Sequence, residues 1–121
     1  MLWGSPFFSN LQGLQIRKDG IWIPVVPLPN AFIVNIGEIL EIVTNGQYKS
    51  IEHRAIVHSE RERLSIATFL SPNLDGELGP APSLITPETP PKFTRVTVAE
   101  YFKNLFSGEL KRKTNLEQYY I

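Results

Sequence analysis

The residues best suited to chemistry lie in SIEHRAIVHSERERLSIATF, residues 50–69, which contains both histidines of the chain. Arg63 and Ser65 form an Arg-x-Ser pair that begins ten residues after His53. Because alternate residues of a β-strand share a face, these two side chains are predicted to point the same way. A planar guanidinium that forks onto two oxygens, with a hydroxyl beside it, makes a good receptor for a carboxylate.

His53 is predicted to lie on the partner strand of a hairpin, roughly opposite this pair. A neutral imidazole there could bind a divalent metal, leaving Arg63 and Ser65 to hold the far end of a small dicarboxylic acid. In the purely structural alternative, His53 is a hydrogen-bonded strand residue and Arg63 is a solvated turn residue. Spacing alone favours that alternative.

The second histidine offers a weaker candidate. His58, Ser59 and Glu60 form a nominal His-x-acid pair, but they fall in the predicted turn and are expected to face solvent rather than His53. A zinc site built from His53 and His58 is also disfavoured, because a spacing of five residues places them on opposite faces of a strand.

Composition limits the class of protein. The chain has 121 residues, enough for one modest domain, and its 12 basic and 12 acidic residues give a net charge of zero. There is thus no electrostatic reason to expect nucleic acid or an anionic membrane as a partner. The absence of cysteine excludes disulfides and cysteine-based metal sites. No apolar run could span a bilayer and no signal peptide is apparent, so a cytoplasmic location is expected.

Local patterns predict several short strands. Residues 14–17 and 21–26 are β-rich runs joined by Asp19-Gly20, which favours a tight hairpin turn. Residues 31–36 are predicted to form a strand buried on both faces, and residues 38–43 one or two helical turns.

The second half is less regular. Residues 71–91 hold six prolines and predict either a loop ordered by packing or a flexible arm, without a β-ladder. A helix is predicted from Thr97, with Glu100 at capping-box spacing, an apolar face and a stop at Gly108. The predicted fold is therefore mostly β, a sandwich or jelly roll with a helical tail packed outside, although about five visible strands are few for closing a barrel.

From Gly13 onward the sequence resembles the C-terminal half of the double-stranded β-helix core of plant 2-oxoglutarate- and Fe(II)-dependent dioxygenases. The likeness is carried by an EHRA strand, an Arg-x-Ser ten residues beyond the histidine, and a following Phe. It favours the branch of flavonol synthase-like, anthocyanidin synthase-like and alkaloid demethylase-like enzymes, and GPAPSLITPETPPKFTRVTVAEYF resembles the tail of that branch. Asn30, Glu38 and His58 replace the Gly, Asp and Asn that are usual there.

The resemblance implies roles for particular residues. His53 would be the distal histidine of a two-His-one-carboxylate iron site, and Arg63 and Ser65 would bind the C5 carboxylate of 2-oxoglutarate. Phe69 would line the pocket for a small organic substrate. The implied cofactors are Fe(II) and 2-oxoglutarate, with ascorbate as reductant.

The implied organisation has three parts. Residues 1–12 would be a divergent N-terminal segment, residues 13–70 the C-terminal half of the dioxygenase core, and residues 71–121 a Pro-rich loop and C-terminal helix. The fold implied is a partial double-stranded β-helix, or jelly roll.

The other two iron ligands of the family come from a His-x-Asp motif that precedes this region. Residues 1–12 contain no His, Asp or Glu, and one imidazole without a carboxylate cannot hold Fe(II) usefully. Three hypotheses follow: a truncated dioxygenase that is inactive alone, a half-barrel completed by another chain, or a non-catalytic β module that binds a carboxylate or a protein. An incomplete barrel would also favour self-association through its open sheet edge.

Overall fold

The computed structural model describes residues 2–4, 13–62, 64–107 and 115–121. These residues form mostly sheet, as predicted, with two α-helices. The strands are β1 (Leu2–Gly4), β2 (Leu14–Lys18), β3 (Ile21–Pro24), β4 (Phe32–Val34), β5 (His53–Ala55), β6 (Ile66–Thr68), β7 (Glu77–Leu78) and β8 (Val96–Thr97). The α-helices are α1 (Glu38–Val43) and α2 (Val98–Ser107), and short 3-10 helices cover Pro82–Leu84 and Asn115–Tyr119.

The chain folds into two compact units. Unit 1 comprises Met1–Ile36 and Ser50–Leu70, and unit 2 comprises Gly37–Lys49 and Ser71–Ile121. Unit 1 contains two antiparallel three-stranded sheets: sheet A in the order β4-β1-β6 and sheet B in the order β3-β2-β5. Unit 2 contains both α-helices and the β7-β8 ladder. No helix within the described ranges has the length and apolar character needed to cross a bilayer.

The first predicted hairpin is confirmed. Strands β2 and β3 pair with Arg17 opposite Trp22 and Lys18 opposite Ile21. Asp19 and Gly20 have φ values of 52° and 81°, so both central turn residues are left-handed. Such a turn matches the right-handed twist of the flanking strands, which explains why Asp-Gly occurs here.

The hairpin predicted for residues 50–69 is wrong. Strand β5 pairs with β2 in sheet B, whereas β6 pairs with β1 in sheet A. The two strands are joined by residues 56–65, and a connector of this length does not impose the short turn that fixes a hairpin. His53 is therefore not the cross-strand neighbour of the segment that leads into β6.

The predicted burial of β4 on both faces is also wrong. Ile33 is half-buried, but Phe32 and Val34 are 74% and 66% exposed. β4 is an edge strand of sheet A, and the face that carries Phe32 and Val34 is left largely uncovered. The apolar run correctly indicated a strand but carried no information about how many layers would cover it.

Strand β1 was not predicted at all. Sequence analysis left residues 1–12 without an element, yet Leu2–Gly4 is the central strand of sheet A, paired with both β4 and β6. Three residues are too few to show a period of two, so the local pattern held no usable signal.

The core of unit 2 forms around the two helices. Val98 and Tyr101 of α2 are buried, so the helix contributes to a core and does not merely pack outside as predicted. Leu105 and Phe106, predicted on the same face, are exposed. The buried apolar residues of this core are Ile42, Leu78, Phe93, Val98, Tyr101, Leu116 and Tyr119.

The ends of α2 follow the predicted signals where they are described. The backbone N–H of Glu100 donates to Thr97 Oγ1 at 3.1 Å, which is one half of the predicted capping box. The helix ends at Ser107, and the predicted stop at Gly108 lies outside the described residues.

The Pro-rich segment is ordered by packing, which was the first of the two predicted alternatives. Gly79 and Pro80 are buried, and the Arg95 guanidinium donates to the Pro80 carbonyl at 2.9 Å. The prediction that this segment forms no ladder is wrong for β7. Glu77 and Leu78 are not prolines, so they keep the N–H groups that pairing needs.

A buried carboxylate ties α1 to the chain that follows it and to the C-terminal residues. Glu41 is almost fully buried and accepts hydrogen bonds from Lys49 Nζ at 2.9 Å and from the Tyr120 hydroxyl at 3.0 Å. The hydrogen bond from Lys49 to Glu41 raises the pKa of Lys49. Burial raises the pKa of Glu38, and the hydrogen bond that the Tyr101 hydroxyl donates to it opposes that rise.

Asn45 is a second buried polar anchor in unit 2. It is 2% exposed and has a φ of 52°, a conformation that Asn tolerates better than most residues. Its Nδ2 donates to the Pro90 carbonyl at 3.1 Å, and its Oδ1 accepts from the Lys92 N–H at 2.8 Å. One side chain thus fixes the turn after α1 and also the end of the Pro-rich segment.

We predict that Asn45→Ala destabilises unit 2 by about 2–3 kcal/mol, because two partly buried hydrogen bonds to the backbone are lost and alanine disfavours positive φ. Asn30 has a similar φ of 57° but is exposed, so Asn30→Ala is the matched control and should cost about 1 kcal/mol. Urea unfolding of both variants measures the difference, and equal losses would contradict the anchoring role of Asn45.

Candidate functional site

His53 lies on the apolar face of sheet B. The register places it directly opposite Ile16, which is in turn opposite Ile23. Residues opposite each other in an antiparallel pair project from the same face, and Leu14, two residues before Ile16, joins them. The imidazole is half-buried at the edge of this aliphatic surface.

The other face of sheet B is polar and aromatic. Gln15 is opposite Arg54, and Arg17 is opposite Trp22, so these four side chains share the face that His53 does not. The Arg54 guanidinium lies 4.0 Å from the centroid of the Trp22 ring. Sequence analysis missed this contact because it depends on the register of three strands that are distant along the chain.

A hydrogen bond defines the tautomer of His53. Its Nδ1 lies 3.1 Å from the Ile51 carbonyl oxygen. Because a carbonyl only accepts, Nδ1 carries the proton in the neutral ring, and Nε2 carries the lone pair. A backbone carbonyl bound to one ring nitrogen is the common way in which proteins orient a metal-binding histidine through the other.

Ser65 lies immediately before β6, on the more covered side of its strand. Exposure alternates along this segment: Leu64 and Ile66 are exposed, whereas Ser65 and Ala67 are half-buried. These four exposures agree with the two-residue period of a strand, which predicts that Ser65 and Ala67 share one side and Leu64 and Ile66 the other. Arg63, the predicted partner of Ser65, lies outside the described residues.

Phe69 follows β6 and is 66% exposed. The described part of the chain therefore does not enclose its ring in a pocket. Of the predicted site residues, the structure places His53, Ser65 and Phe69 in unit 1, with His53 in sheet B and the other two beside the β6 strand of sheet A.

His58 is exposed, and its ring serves a local turn. Its Nδ1 accepts the backbone N–H of Glu60 at 3.2 Å. This agrees with the prediction that the His58–Glu60 pair faces solvent.

His53 fits the part of one nitrogen ligand to a divalent metal, but the described residues do not complete a site. Over residues 13–62, 64–107 and 115–121, no three His, Cys, Asp or Glu side chains are grouped so that they could hold a metal ion. A facial iron site needs three protein ligands, and the described residues supply one of them, His53.

The sequence model of the 2OG-Fe(II) oxygenase superfamily matches residues 6–72. The chain belongs to this superfamily. It is 58% identical over 109 residues to oxoglutarate-dependent flavonoid 7-O-demethylase 1 of Ocimum basilicum, and 53% identical over 109 residues to codeine O-demethylase of Papaver somniferum.

The match covers 90% of this chain but only 29% and 30% of those two relatives. Among solved structures, the crystal structure of JOX2 in complex with 2OG, Fe and JA superposes with a TM-score of 0.90 at 37% identity. That superposition covers 99% of this chain and 35% of JOX2. The chain therefore spans about a third of the proteins that it matches.

We predict opposite tautomers for the two neutral histidines. His53 should carry its proton on Nδ1, which faces a carbonyl, whereas His58 should carry it on Nε2, because its Nδ1 accepts an N–H. Long-range ¹H–¹⁵N correlation spectra of the imidazole rings distinguish the two forms. A protonated Nε2 on His53 would contradict the assignment, with His58 as the internal reference.

Proposed function

We propose that this chain forms part of a 2-oxoglutarate- and Fe(II)-dependent dioxygenase. In this proposal His53 is one iron ligand, Arg63 and Ser65 bind the C5 carboxylate of 2-oxoglutarate, and Phe69 lies beside a small organic substrate. The observation that carries it is the setting of His53, whose Nε2 lone pair belongs to a ring held by the Ile51 carbonyl on an apolar sheet face.

Each residue has a distinct task in this proposal. The His53 ring is oriented before the metal arrives, so little side-chain entropy is lost on binding. The Ser65 hydroxyl donates to a carboxylate oxygen, and the Arg63 guanidinium forks onto the same group. Bound Fe(II) would supply the chemistry of O2 activation, with ascorbate maintaining its reduced state, while the aliphatic surface around His53 would limit access of water.

The fold that accompanies this function is a partial double-stranded β-helix, in which residues 13–70 form the C-terminal half of the core. The TM-score of 0.90 with the JOX2 structure supports it, as do two antiparallel sheets in unit 1. A small-molecule substrate and a cytoplasmic location belong to the same proposal, and the names of the two relatives, a flavonoid demethylase and a codeine demethylase, support the small-molecule substrate.

We also infer that the polypeptide of these 121 residues does not turn over alone. Apart from His53, its only histidine is His58, which is exposed and bound to the turn at Glu60. Without a second histidine and a carboxylate on the same octahedral face, neither affinity for Fe(II) nor facial geometry is achieved.

The alternative is a non-catalytic half-barrel that acts by association with another chain. It is favoured by the row of exposed apolar side chains on one face of sheet A, namely Phe32, Val34 and Ile66. Surfaces of this kind mark association sites when they are contiguous. Among the described strands, β4 and β6 are the edges of sheet A, where a further strand could pair.

The carboxylate site is tested by calorimetry with 2-oxoglutarate on the 121-residue chain. Arg63→Ala should weaken binding by about 10- to 100-fold, because a charge-assisted bidentate contact is lost. Arg61→Ala is the matched control, since Arg61 is an exposed arginine on the same connector, and it should bind as the wild type does.

Equal affinities for the wild type and Arg63→Ala would remove the Arg-x-Ser site from the proposal. If the wild type showed no heat of binding but sedimented as a stable oligomer, the half-barrel alternative would be favoured instead.

A further inference from the structure

Arg54 is the residue next to His53 in β5, and its side chain lies on the opposite face of sheet B. Its guanidinium carbon lies 4.0 Å from the centroid of the Trp22 ring, a short cation–π distance. Its Nε donates to Gln15 Oε1 at 2.8 Å. Arg54 thus makes two directional contacts, with residues of two different strands.

These contacts link all three strands of sheet B. Trp22 belongs to β3, Gln15 to the central strand β2, and Arg54 to β5. Neighbouring strands are about 4.8 Å apart, so β3 and β5 are separated by about 10 Å and backbone hydrogen bonds cannot join them. Two long side chains, one from each edge strand, can meet across this distance. Trp22 of β3 and Arg54 of β5 do this on the polar face of sheet B.

β5 needs such support because it is a short edge strand. It pairs with β2 over three residues, from His53 to Ala55. Two further backbone bonds bracket it: Arg17 N to the Glu52 carbonyl at 2.8 Å and Ile56 N to the Gly13 carbonyl at 2.7 Å. Edge strands of this length open locally at low cost, and opening would release His53 from its place opposite Ile16.

We propose that Arg54 is a positioning residue, whose stack on Trp22 and hydrogen bond to Gln15 hold β5 in register and thereby hold His53 in place on the apolar face. The importance of this role for metal binding rests on the proposed function of His53. The register effect itself does not, because it concerns only the contacts within sheet B.

Arg17 supplies a matched control on the same face. Its guanidinium carbon lies 5.8 Å from the Trp22 centroid, and it forms an exposed ion pair with Glu52 at 3.3 Å. A longer cation–π distance and an exposed ion pair contribute little. Variants of Arg17 and Arg54 therefore compare a cation–π contact with the same Trp22 ring at a long and at a short distance.

The experiment is amide hydrogen exchange by NMR on the 121-residue chain. In Arg54→Met, which keeps an unbranched stem but loses the guanidinium, exchange at the amides of residues 17 and 56 should accelerate about tenfold. The Val25 amide, which donates to the Leu14 carbonyl between β3 and β2, should change by less than about twofold. Arg17→Met should leave the residue 56 amide near its wild-type rate.

The Val25 amide reports whether unit 1 stays folded in each variant, and unit 2, which carries no substitution, is the internal reference for exchange. The amides of Thr94 and Ile121 donate to the Tyr119 and Lys92 carbonyls, and their protection should be unchanged in every variant. Trp22→Phe should retain most of the β5 protection because it keeps an aromatic face, whereas Trp22→Leu should lose it. In the Trp22→Leu background, Arg54→Met should add little, since the two residues act through one contact.

The His53 ring gives a signature that loss of stability alone would not produce. In Arg54→Met, its imidazole nitrogens should shift towards the averaged values of a mixture of tautomers, while those of His58 stay fixed. Wild-type exchange at residue 56 together with an unchanged His53 tautomer in Arg54→Met would overturn the proposal. So would equal effects of the Arg17 and Arg54 variants.

Failure of the proposed function is measured separately. If 2-oxoglutarate and divalent metals bind neither the wild type nor any variant, the functional assignment fails. The exchange and tautomer data would still decide the role of Arg54, because both are recorded without ligand.

Discussion

The register between β2 and β5 is the constraint on which the candidate site depends. Ile16 opposite His53 places the imidazole with Leu14 and Ile23, and the same register places Arg54 with the Trp22 ring on the reverse face. Since side chains alternate with a period of two, a slip of one residue would exchange the faces and turn His53 outward. The two faces of one short strand therefore have to be considered together: one carries the candidate ligand His53, and the other carries Arg54 and its contact with Trp22.

Unit 2 depends on a different kind of interaction. Its apolar core is small, and buried polar groups that form hydrogen bonds join segments that are far apart in the sequence. Glu41 reaches Lys49 and Tyr120, and Asn45 reaches the backbone at Pro90 and Lys92. Buried polar groups are costly when unpaired, so such networks specify one arrangement of chain more sharply than aliphatic packing does.

The sequence predicted the features that local chemistry determines. Asp19-Gly20 indicated the hairpin, residues 38–43 indicated α1, and the Thr97–Glu100 spacing indicated the start of α2, because turns and caps depend on a few adjacent residues. The pairing of β5 and β6 with different sheets could not be predicted in this way. It depends on partners that lie 37 to 66 residues away in the chain, and the charged connector between the two strands looked like a turn.

The same distinction applies to the site. Residue types and spacing indicated His53, Arg63 and Ser65 as candidates, and the family resemblance added Phe69. The alternation of exposed and half-buried side chains around Ser65 is confirmed. The tautomer of His53 and the stack of Arg54 on Trp22 needed the backbone of Ile51 and the register of sheet B. A local pattern can indicate a candidate ligand residue, but the contacts around that residue depend on how distant strands pair.

We propose that this chain supplies one iron ligand and the carboxylate site of a 2-oxoglutarate-dependent dioxygenase, without completing the iron face. The most direct test of this proposal is a succinate-release assay on the purified 121-residue chain with Fe(II), ascorbate and 2-oxoglutarate. We expect succinate at the level of a protein-free blank, because the chain lacks the ligands that would hold catalytic iron. Succinate release clearly above that blank, abolished by His53→Ala, would contradict it, because the chain would then hold catalytic iron with residues of its own.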